Sequence, residues 1–136
     1  MQVKKLSDLP IPARQTTGAA GYDLQSDKDF TINPMQRVLV PTGYAWEIPA
    51  GKVGIIKDRS SMAYKYGIST LAGVIDSDYR GEVKVLLINL SSLAYKVSKG
   101  DRIAQMVIVD HYSDELVLSD DLDDQDRNGG FGTTGK

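Results

Sequence analysis

The amino-acid sequence predicts an all-β protein, built as an antiparallel sandwich or barrel of many short strands. Short apolar or alternating runs recur along the chain, and each run is closed by Gly, Pro or Ser residues. Strands at such close spacing, with turn residues between them, are typical of these architectures. The sequence shows no internal repeat and no strand–helix–strand alternation, which argues against a Rossmann or P-loop fold.

The predicted strands share this pattern and cover residues 35–40, 44–48, 53–57, 68–71, 83–90, 93–97 and 102–109. The sequence Pro-Thr-Gly at 41–43 ends the first strand, and Pro-Ala-Gly at 49–51 suits a tight turn after the second. One helix of about two turns is predicted to begin at Ser60 or Ser61, where a hydroxyl caps its first turn, and to end at Gly67.

Composition excludes several classes of protein. The 136 residues are enough for one domain with a hydrophobic core, and 41% of them are hydrophobic and 25% charged. A formal net charge of −2 provides no polycation for a nucleic-acid backbone, and the lack of cysteine excludes disulfides, thiolate metal sites and cysteine nucleophiles. Because the sequence contains neither a membrane-spanning run nor a signal peptide, we expect a cytoplasmic protein, in the host cytoplasm if it is viral.

The character of the chain changes after about residue 110. Residues 111–118 are predicted to form a last strand, and five aspartates and a glycine-rich end follow. Such a segment buries little apolar area, so we divide the chain into a β-barrel domain, residues 1–118, and a mobile arm, residues 119–136. Phe131 lies between glycines with hydroxyls nearby, which suits a segment that folds over an aromatic ligand bearing phosphate.

The first candidate for chemistry is the segment 73–82, predicted to be a strand, a turn and the start of a second strand. Asp76 directly follows a β-branched pair, where a strand end can aim its carboxylate, and the ring of Tyr79 is close in sequence. A carboxylate beside a ring can activate water next to a sugar-bearing substrate. The alternative is ordinary turn chemistry, because hairpin turns are rich in Asp, Ser and Gly.

A second candidate lies at the predicted helix start. Arg59 precedes the hydroxyls of Ser60 and Ser61, and a helix N-terminus with an arginine fork favours a phosphate. A simple serine cap beside a solvent-exposed arginine is the alternative. The loop before Asp23 brings that carboxylate to a strand start, a weak signal on its own.

The predicted strand 102–109 holds one glutamine on an apolar face. If Arg102 and Ala104 share one face, Gln105 lies on the other with Ile103 and Val107. A glutamine in such surroundings needs a hydrogen-bond partner, for which a ligand or water is a candidate.

Taken together and in order, these segments resemble the five motifs of the trimeric dUTP pyrophosphatase family, here residues 20–24, 59–61, 73–81, 100–105 and 129–135. The resemblance implies a jelly-roll-like, distorted β-barrel and a homotrimer with three active sites at subunit interfaces. Motifs one, two and four then come from one subunit, motif three from a second and motif five from the third.

The resemblance also implies an activity: Mg²⁺-dependent hydrolysis of dUTP to dUMP and pyrophosphate, by attack of water on the α-phosphorus. Such a reaction limits uracil incorporation into DNA and supplies dUMP for dTMP synthesis. By resemblance, Asp76 orients and deprotonates the water, Tyr79 leaves no room for a ribose 2′-hydroxyl, and Asp23 holds waters of the Mg²⁺ that the triphosphate chelates.

The remaining residues implied by the resemblance contact the substrate directly. Backbone around Gly73, Val74 and Lys84 reads the uracil edge, and the phosphates are held by Arg59, Ser60, Ser61 and Gln105. The arm closes over the γ-phosphate through Arg127 and backbone amides near Gly132, with Phe131 stacked on uracil.

The sequence departs from the family pattern at two places. Asp58 stands where a proline or glycine usually precedes the arginine of motif two, and its carboxylate repels a triphosphate unless it turns away or pairs with Arg59. The fifth motif is one residue shorter than usual between Arg127 and Phe131.

Three other functions remain open at the level of sequence. A dCTP deaminase of the same fold is disfavoured because residues 83–90 contain no acidic residue where that enzyme has its catalytic glutamate. A regulatory trimer that binds nucleotide without turnover is a second alternative. A purely structural jelly roll is the third, and it leaves the five motifs unexplained.

Overall fold

The fold is given by a computed structural model, and it describes residues 1–123 of the chain. Within that range there are ten strands and one helix: β1 (Gln2–Lys5), β2 (Gly21–Gln25), β3 (Phe30–Ile32), β4 (Arg37–Glu47), β5 (Lys52–Lys57), α1 (Ser60–Tyr66), β6 (Ile68–Leu71), β7 (Val74–Ile75), β8 (Glu82–Asn89), β9 (Tyr95–Val97) and β10 (Arg102–Asp110). The predicted all-β class with one short helix is therefore confirmed.

The strands form three antiparallel sheets. One has the order β1-β4-β8-β6, the second β2-β10-β5-β7, and β3 pairs with β9 in a small third sheet. Alternate residues of the strands point inward, and their apolar side chains form one core, which includes Leu24, Ile32, Val40, Trp46, Ile56, Ile68, Val85, Leu87, Ile103 and Met106. This arrangement is the jelly-roll-like barrel that the family resemblance implies.

A bulge replaces the predicted turn at residues 41–43. Strand β4 runs through Pro41, which lies opposite Lys84, whereas Ala45 lies opposite Glu82, so β4 holds extra residues relative to β8. A proline has no N–H for the ladder, and a bulge is one of the few places where a strand tolerates it. Gly43 takes a positive φ of 74° there and donates its N–H to Glu82 Oε1 at 2.8 Å.

The helix begins and ends where predicted, but its cap differs from the prediction. Gly67 is the C-cap with φ 65°, in the left-handed region that glycine adopts without a steric penalty. The expected serine cap is wrong: Arg59 is the N-cap residue, and no side chain caps the helix there. The Arg59 carbonyl instead accepts the first hydrogen bonds, from Met62 N and Ala63 N.

One further expectation fails. Residues 111–118 are not a strand but an irregular segment with exposed side chains, because they have no neighbouring strand within the described residues. The segment 73–82 does form the predicted strand, turn and second strand, but the two strands do not pair as a hairpin, since β7 pairs with β5 while β8 pairs with β4 and β6. Residues 76–81 therefore cross from one sheet to the other.

Within residues 1–123, the helical segment is too short to cross a membrane.

Two glycines with nearly the same positive φ test the packing of the bulge. A Cβ at Gly43 would lie 2.2 Å from Ser7 Oγ, whereas a Cβ at Gly51 would meet nothing within 4 Å, and both residues have positive φ. We expect Gly43→Ala to lower the free energy of unfolding by about 2–4 kcal/mol and Gly51→Ala by only about 1 kcal/mol. Chemical denaturation at equal protein concentration measures both; equal losses would contradict the close packing of the bulge against Ser7.

Candidate active site

Strand β10 brings three of the sequence motifs to one place. It pairs with β2 on one side and with β5 on the other, so that Gln105 lies opposite both Asp23 and Lys57. Because β5 leads directly into the loop before α1, Arg59 reaches the same region. The backbone pairing thus gathers motifs one, two and four.

A carboxylate between two arginines is the centre of this region. Asp23 is 14% exposed; its Oδ1 lies 3.5 Å from Arg59 Nε and its Oδ2 lies 3.2 Å from Arg102 Nη1. Arg59 Nη1 also donates to the Arg102 carbonyl at 2.9 Å. Two guanidinium groups share one carboxylate, so the cluster carries a net positive charge, and both arginines remain partly exposed to an incoming anion.

An open cavity of about 290 Å³ lies beside this charge cluster. Its lining includes the two arginines, Ser61, Tyr66, Tyr95 and one carboxylate, that of Asp101. Ser61 therefore lines the same space as Arg59 and Arg102. Ser60, the first residue of α1, is exposed.

Gln105 has a protein partner. Its Nε2 donates to the Asp58 carbonyl at 3.0 Å, and its Oε1 approaches Gly21 so closely that a Cβ there would lie 2.6 Å away. The expectation that Gln105 shares a face with Ile103 is wrong, because a register shift between Arg102 and Ala104 breaks the alternation. Ile103 and Ala104 are consecutive, and both are buried.

Asp58 turns its carboxylate away from the arginines. Its Oδ1 accepts from Thr70 N at 2.6 Å and from Thr70 Oγ1 at 2.7 Å, and its Oδ2 accepts from Ser69 Oγ at 2.8 Å. Burial raises the pKa of this carboxyl, but the hydrogen bonds from Thr70 and Ser69 outweigh it and hold the pKa below the ordinary value of 3.8. Asp58 therefore avoids repelling a phosphate by turning its carboxylate away, and not by pairing with Arg59.

A second open cavity, of about 550 Å³, contains the other carboxylate that the sequence singles out. Asp76 lines it with Asp78, His111 and the apolar side chains of Val53, Ile55 and Val74. Asp76 is exposed, and its carbonyl accepts from Tyr79 N at 3.2 Å, which closes the turn. An exposed carboxylate in an open cavity can contact a water molecule directly.

Tyr79 is held in place beside that turn. Its hydroxyl donates to the Glu82 carbonyl at 3.0 Å, and its ring passes so close to Gly81 that a Cβ there would lie 2.6 Å from Cζ. Tyr79 remains 44% exposed, so part of the residue is available for contact with a ligand.

The two cavities share no lining residue. The described part of one chain thus brings together Asp23, Arg59, Ser61 and Gln105, but it places Asp76 in a different cavity. Gly73 and Val74 lie beside β5, where the Gly73 carbonyl accepts from Ile56 N at 2.8 Å.

The other predicted contacts lie elsewhere. Lys84 is in the other sheet, opposite Pro41, and its side chain is exposed. Arg127, Phe131 and Gly132 lie outside the described residues.

Sequence reasoning missed two residues of these cavities. Arg102 belongs to the fourth motif but was not expected to contact Asp23, because the bulge that brings it there depends on pairing with β2. His111 is the only histidine of the sequence and lines the Asp76 cavity, since its backbone N–H donates to the Gly51 carbonyl. A lone histidine after a strand gives no signal of that position.

Comparison with known proteins agrees with the order of the motifs. The sequence model of the dUTPase family matches residues 7–135. This chain belongs to the dUTPase family. A deoxyuridine 5′-triphosphate nucleotidohydrolase of Nautilia profundicola is 49% identical over 100% of this chain and 99% of its own length. One from Paramecium bursaria Chlorella virus 1 is 47% identical over 98% of this chain and 96% of its own.

Solved structures of dUTPases share the fold. A dUTPase of Staphylococcus bacteriophage 80alpha, determined with dUpNHpp, superposes with a TM-score of 0.93 at 27% identity, over 99% of this chain and 98% of that one. A mutant dUTPase from phage phi11 of S. aureus, whose structure shows the coordination of a structural Mg(II) ion, gives a TM-score of 0.85 at 26% identity, over 89% of this chain and 97% of that one.

The hydrogen bonds to Asp58 predict a pH dependence. The pKa of Asp58 is lower in the folded chain than its ordinary value of 3.8. The carboxylate therefore stabilises the fold at pH values above 3.8, and this contribution is lost as the pH falls through the lowered pKa. We expect the difference in unfolding free energy between wild type and Asp58→Asn to be constant above about pH 5 and to shrink at lower pH. Urea unfolding of both proteins from pH 3 to 7 measures it; a difference that grows on acidification would contradict the assignment.

Proposed function

We propose that this dUTPase-family chain hydrolyses dUTP to dUMP and pyrophosphate in the cytoplasm, with Mg²⁺ and by in-line attack of water on the α-phosphorus. The observation that carries the proposal is the cluster of Arg59 and Arg102 around one carboxylate, which offers two guanidinium groups at the point where motifs one, two and four meet. A triphosphate is the ligand that such a cluster and the family membership together favour.

The phosphates contact the residues around this cluster. Arg59 presents a planar fork to phosphate oxygens, and the hydroxyls of Ser60 and Ser61 lie at the start of α1 beside it. Gln105 completes the set and keeps its place through the Asp58 carbonyl. An arriving triphosphate takes over guanidinium hydrogen bonds that Asp23 holds otherwise.

Magnesium enters as part of the substrate. No group of three or more potential ligands among His, Cys, Asp and Glu occurs in residues 1–123, so this part of the chain offers no cage for a bare ion. A single partly exposed carboxylate, that of Asp23, fits the alternative, in which it accepts hydrogen bonds from water on an ion chelated by the triphosphate. When bound, the ion neutralises charge that develops on the phosphate oxygens.

Asp76 acts as the general base. It accepts a proton from water as the water oxygen bonds to the α-phosphorus, and the bond from that phosphorus to the oxygen bridging toward the β-phosphorus breaks, so that pyrophosphate leaves with the electron pair. The ring of Tyr79 packs against the deoxyribose and excludes a 2′-hydroxyl. The backbone at Gly73, Val74 and Lys84 recognises uracil by its pattern of hydrogen-bond donors and acceptors.

The active site is completed between copies of the chain. Asp76 and the arginine cluster line separate cavities in one chain, so a substrate that contacts both needs a second copy to supply one of them. We assign the chain to a homotrimer in which motif three of one subunit faces motifs one, two and four of another.

The arm of residues 119–136 belongs to the same domain as the barrel of residues 1–118 and closes the site from the third subunit. In this proposal Arg127 and amides near Gly132 contact the γ-phosphate, and Phe131 stacks on uracil. Closure of this kind excludes bulk water from the reacting phosphorus.

Purified protein with Mg²⁺ is expected to release pyrophosphate from dUTP and far less from dTTP, dCTP or UTP, because thymine's methyl, cytosine's donor pattern and the ribose 2′-hydroxyl each conflict with the site. A coupled pyrophosphate assay measures this. Ammonia release from dCTP would favour the deaminase alternative, and binding without turnover of any nucleotide would favour the regulatory trimer; either would overturn the proposal.

Two aspartates of one turn provide matched variants for the same assay. Asp76→Asn is expected to reduce turnover by at least about a hundredfold while dUTP binding persists, and Asp78→Asn, in the same cavity, to stay within about threefold of wild type. Equal losses of turnover in the two variants would mean that activity depends on the negative charge of the turn and that Asp76 is not the general base.

A further inference from the structure

One residue next to the phosphate-binding arginine has no counterpart in the usual family pattern, and its contacts give it a role. Asp58 is held from both ends: its carboxylate accepts three hydrogen bonds from Ser69 and Thr70 of β6, and its carbonyl accepts one from Gln105 of β10. The residue thus joins both four-stranded sheets at the point where β5 ends and the chain turns into α1.

These contacts leave the Arg59 guanidinium free to exchange partners. Arg59 follows with an extended backbone, φ −84° and ψ 126°, and no side chain caps the helix that it begins. Its side chain is held by Asp23 and by the Arg102 carbonyl, and a triphosphate competes for those same guanidinium N–H groups. The anchor at Asp58 does not involve the guanidinium, so it keeps the Arg59 backbone in place before and after that exchange.

The orientation also limits the repulsion that a carboxylate beside a phosphate site would cause. The three groups that donate hydrogen bonds to Asp58 are neutral, so they do not cancel the negative charge of its carboxylate. That carboxylate points toward β6, however, and Asp58 lines a different cavity from that of Arg59. A proline at this position would restrict the backbone locally and a glycine would make it more flexible, but neither has a side chain that could bond to β6.

We propose that Asp58 is a positioning residue, which sets the Arg59 guanidinium for the triphosphate by fastening the end of β5 to β6 and β10. The inference rests on the proposed function, because it assigns the phosphates to Arg59. It adds to that function a substrate-affinity determinant that lies outside the binding contacts.

The test compares phosphate binding with nucleoside binding, measured by calorimetry with Mg²⁺ and inorganic tripolyphosphate or with deoxyuridine. Asp58→Ala is expected to weaken tripolyphosphate binding about tenfold and to raise KM for dUTP similarly, with kcat within about threefold and deoxyuridine affinity unchanged. Asp58→Asn keeps an acceptor for Thr70 N–H and is expected to rescue most of the affinity. A loss shared equally by both ligands would indicate a merely structural role and overturn the proposal.

Variants at the partner side chains keep the test decisive if Asp58→Ala does not fold. Thr70→Val removes one donor isosterically and is expected to weaken tripolyphosphate binding about threefold, whereas Thr31→Val, the same change at an exposed position of β3, leaves it unchanged. Where Asp58→Ala does fold, the effect of Thr70→Val is expected to disappear in the double variant, since the two residues act through one contact. Additive effects would overturn the proposal.

The direction in which tripolyphosphate affinity changes distinguishes a positioning role of Asp58 from simple charge repulsion. If Asp58 only repels the anion, both Asp58→Ala and Asp58→Asn bind tripolyphosphate more tightly than wild type does, which would overturn the proposal. Wild-type protein that fails to hydrolyse dUTP but shows the expected tripolyphosphate pattern would refute the proposed function alone. Wild type without affinity for tripolyphosphate would refute the positioning role as well.

Discussion

The pairing of β10 between β2 and β5 is the constraint on which the site depends. Side chains alternate across a strand, so a slip of one residue in either ladder would carry Gln105 to the opposite face and separate it from Asp58. The same pairing sets Asp23 within reach of two arginines, one from β10 itself and one from the loop after β5. A charge cluster that no single segment contains is thereby fixed by backbone hydrogen bonds.

Local signals in the sequence predicted much of the fold. The strand at 68–71 and the end of α1 at Gly67 were correct because alternation and a left-handed glycine depend on neighbouring residues only. The turn expected at Pro41 was wrong, because whether proline ends a strand or enters a bulge depends on the register with β8. The expected strand at 111–118 failed for the same reason, since a strand also needs a partner.

The site follows the same division between local and long-range information. Motif order identified the family, but the position of Asp58 relative to Arg59 depends on hydrogen bonds from residues 69 and 70, which sequence spacing does not reveal. Arg102 escaped notice because a bulge in β10 turns it toward Asp23. Residues that act through partners on distant strands are therefore the ones that needed the structure.

The central proposal is that Asp76 and Arg59 act in one site but come from different copies of the chain. Asp76→Asn and Arg59→Ala proteins, each inactive alone, are unfolded together in equal amounts, refolded and assayed for pyrophosphate release from dUTP. A site shared between subunits restores about a quarter of wild-type activity, because random assembly joins two intact halves at that frequency. A site contained in one chain restores none, and that result would contradict the account.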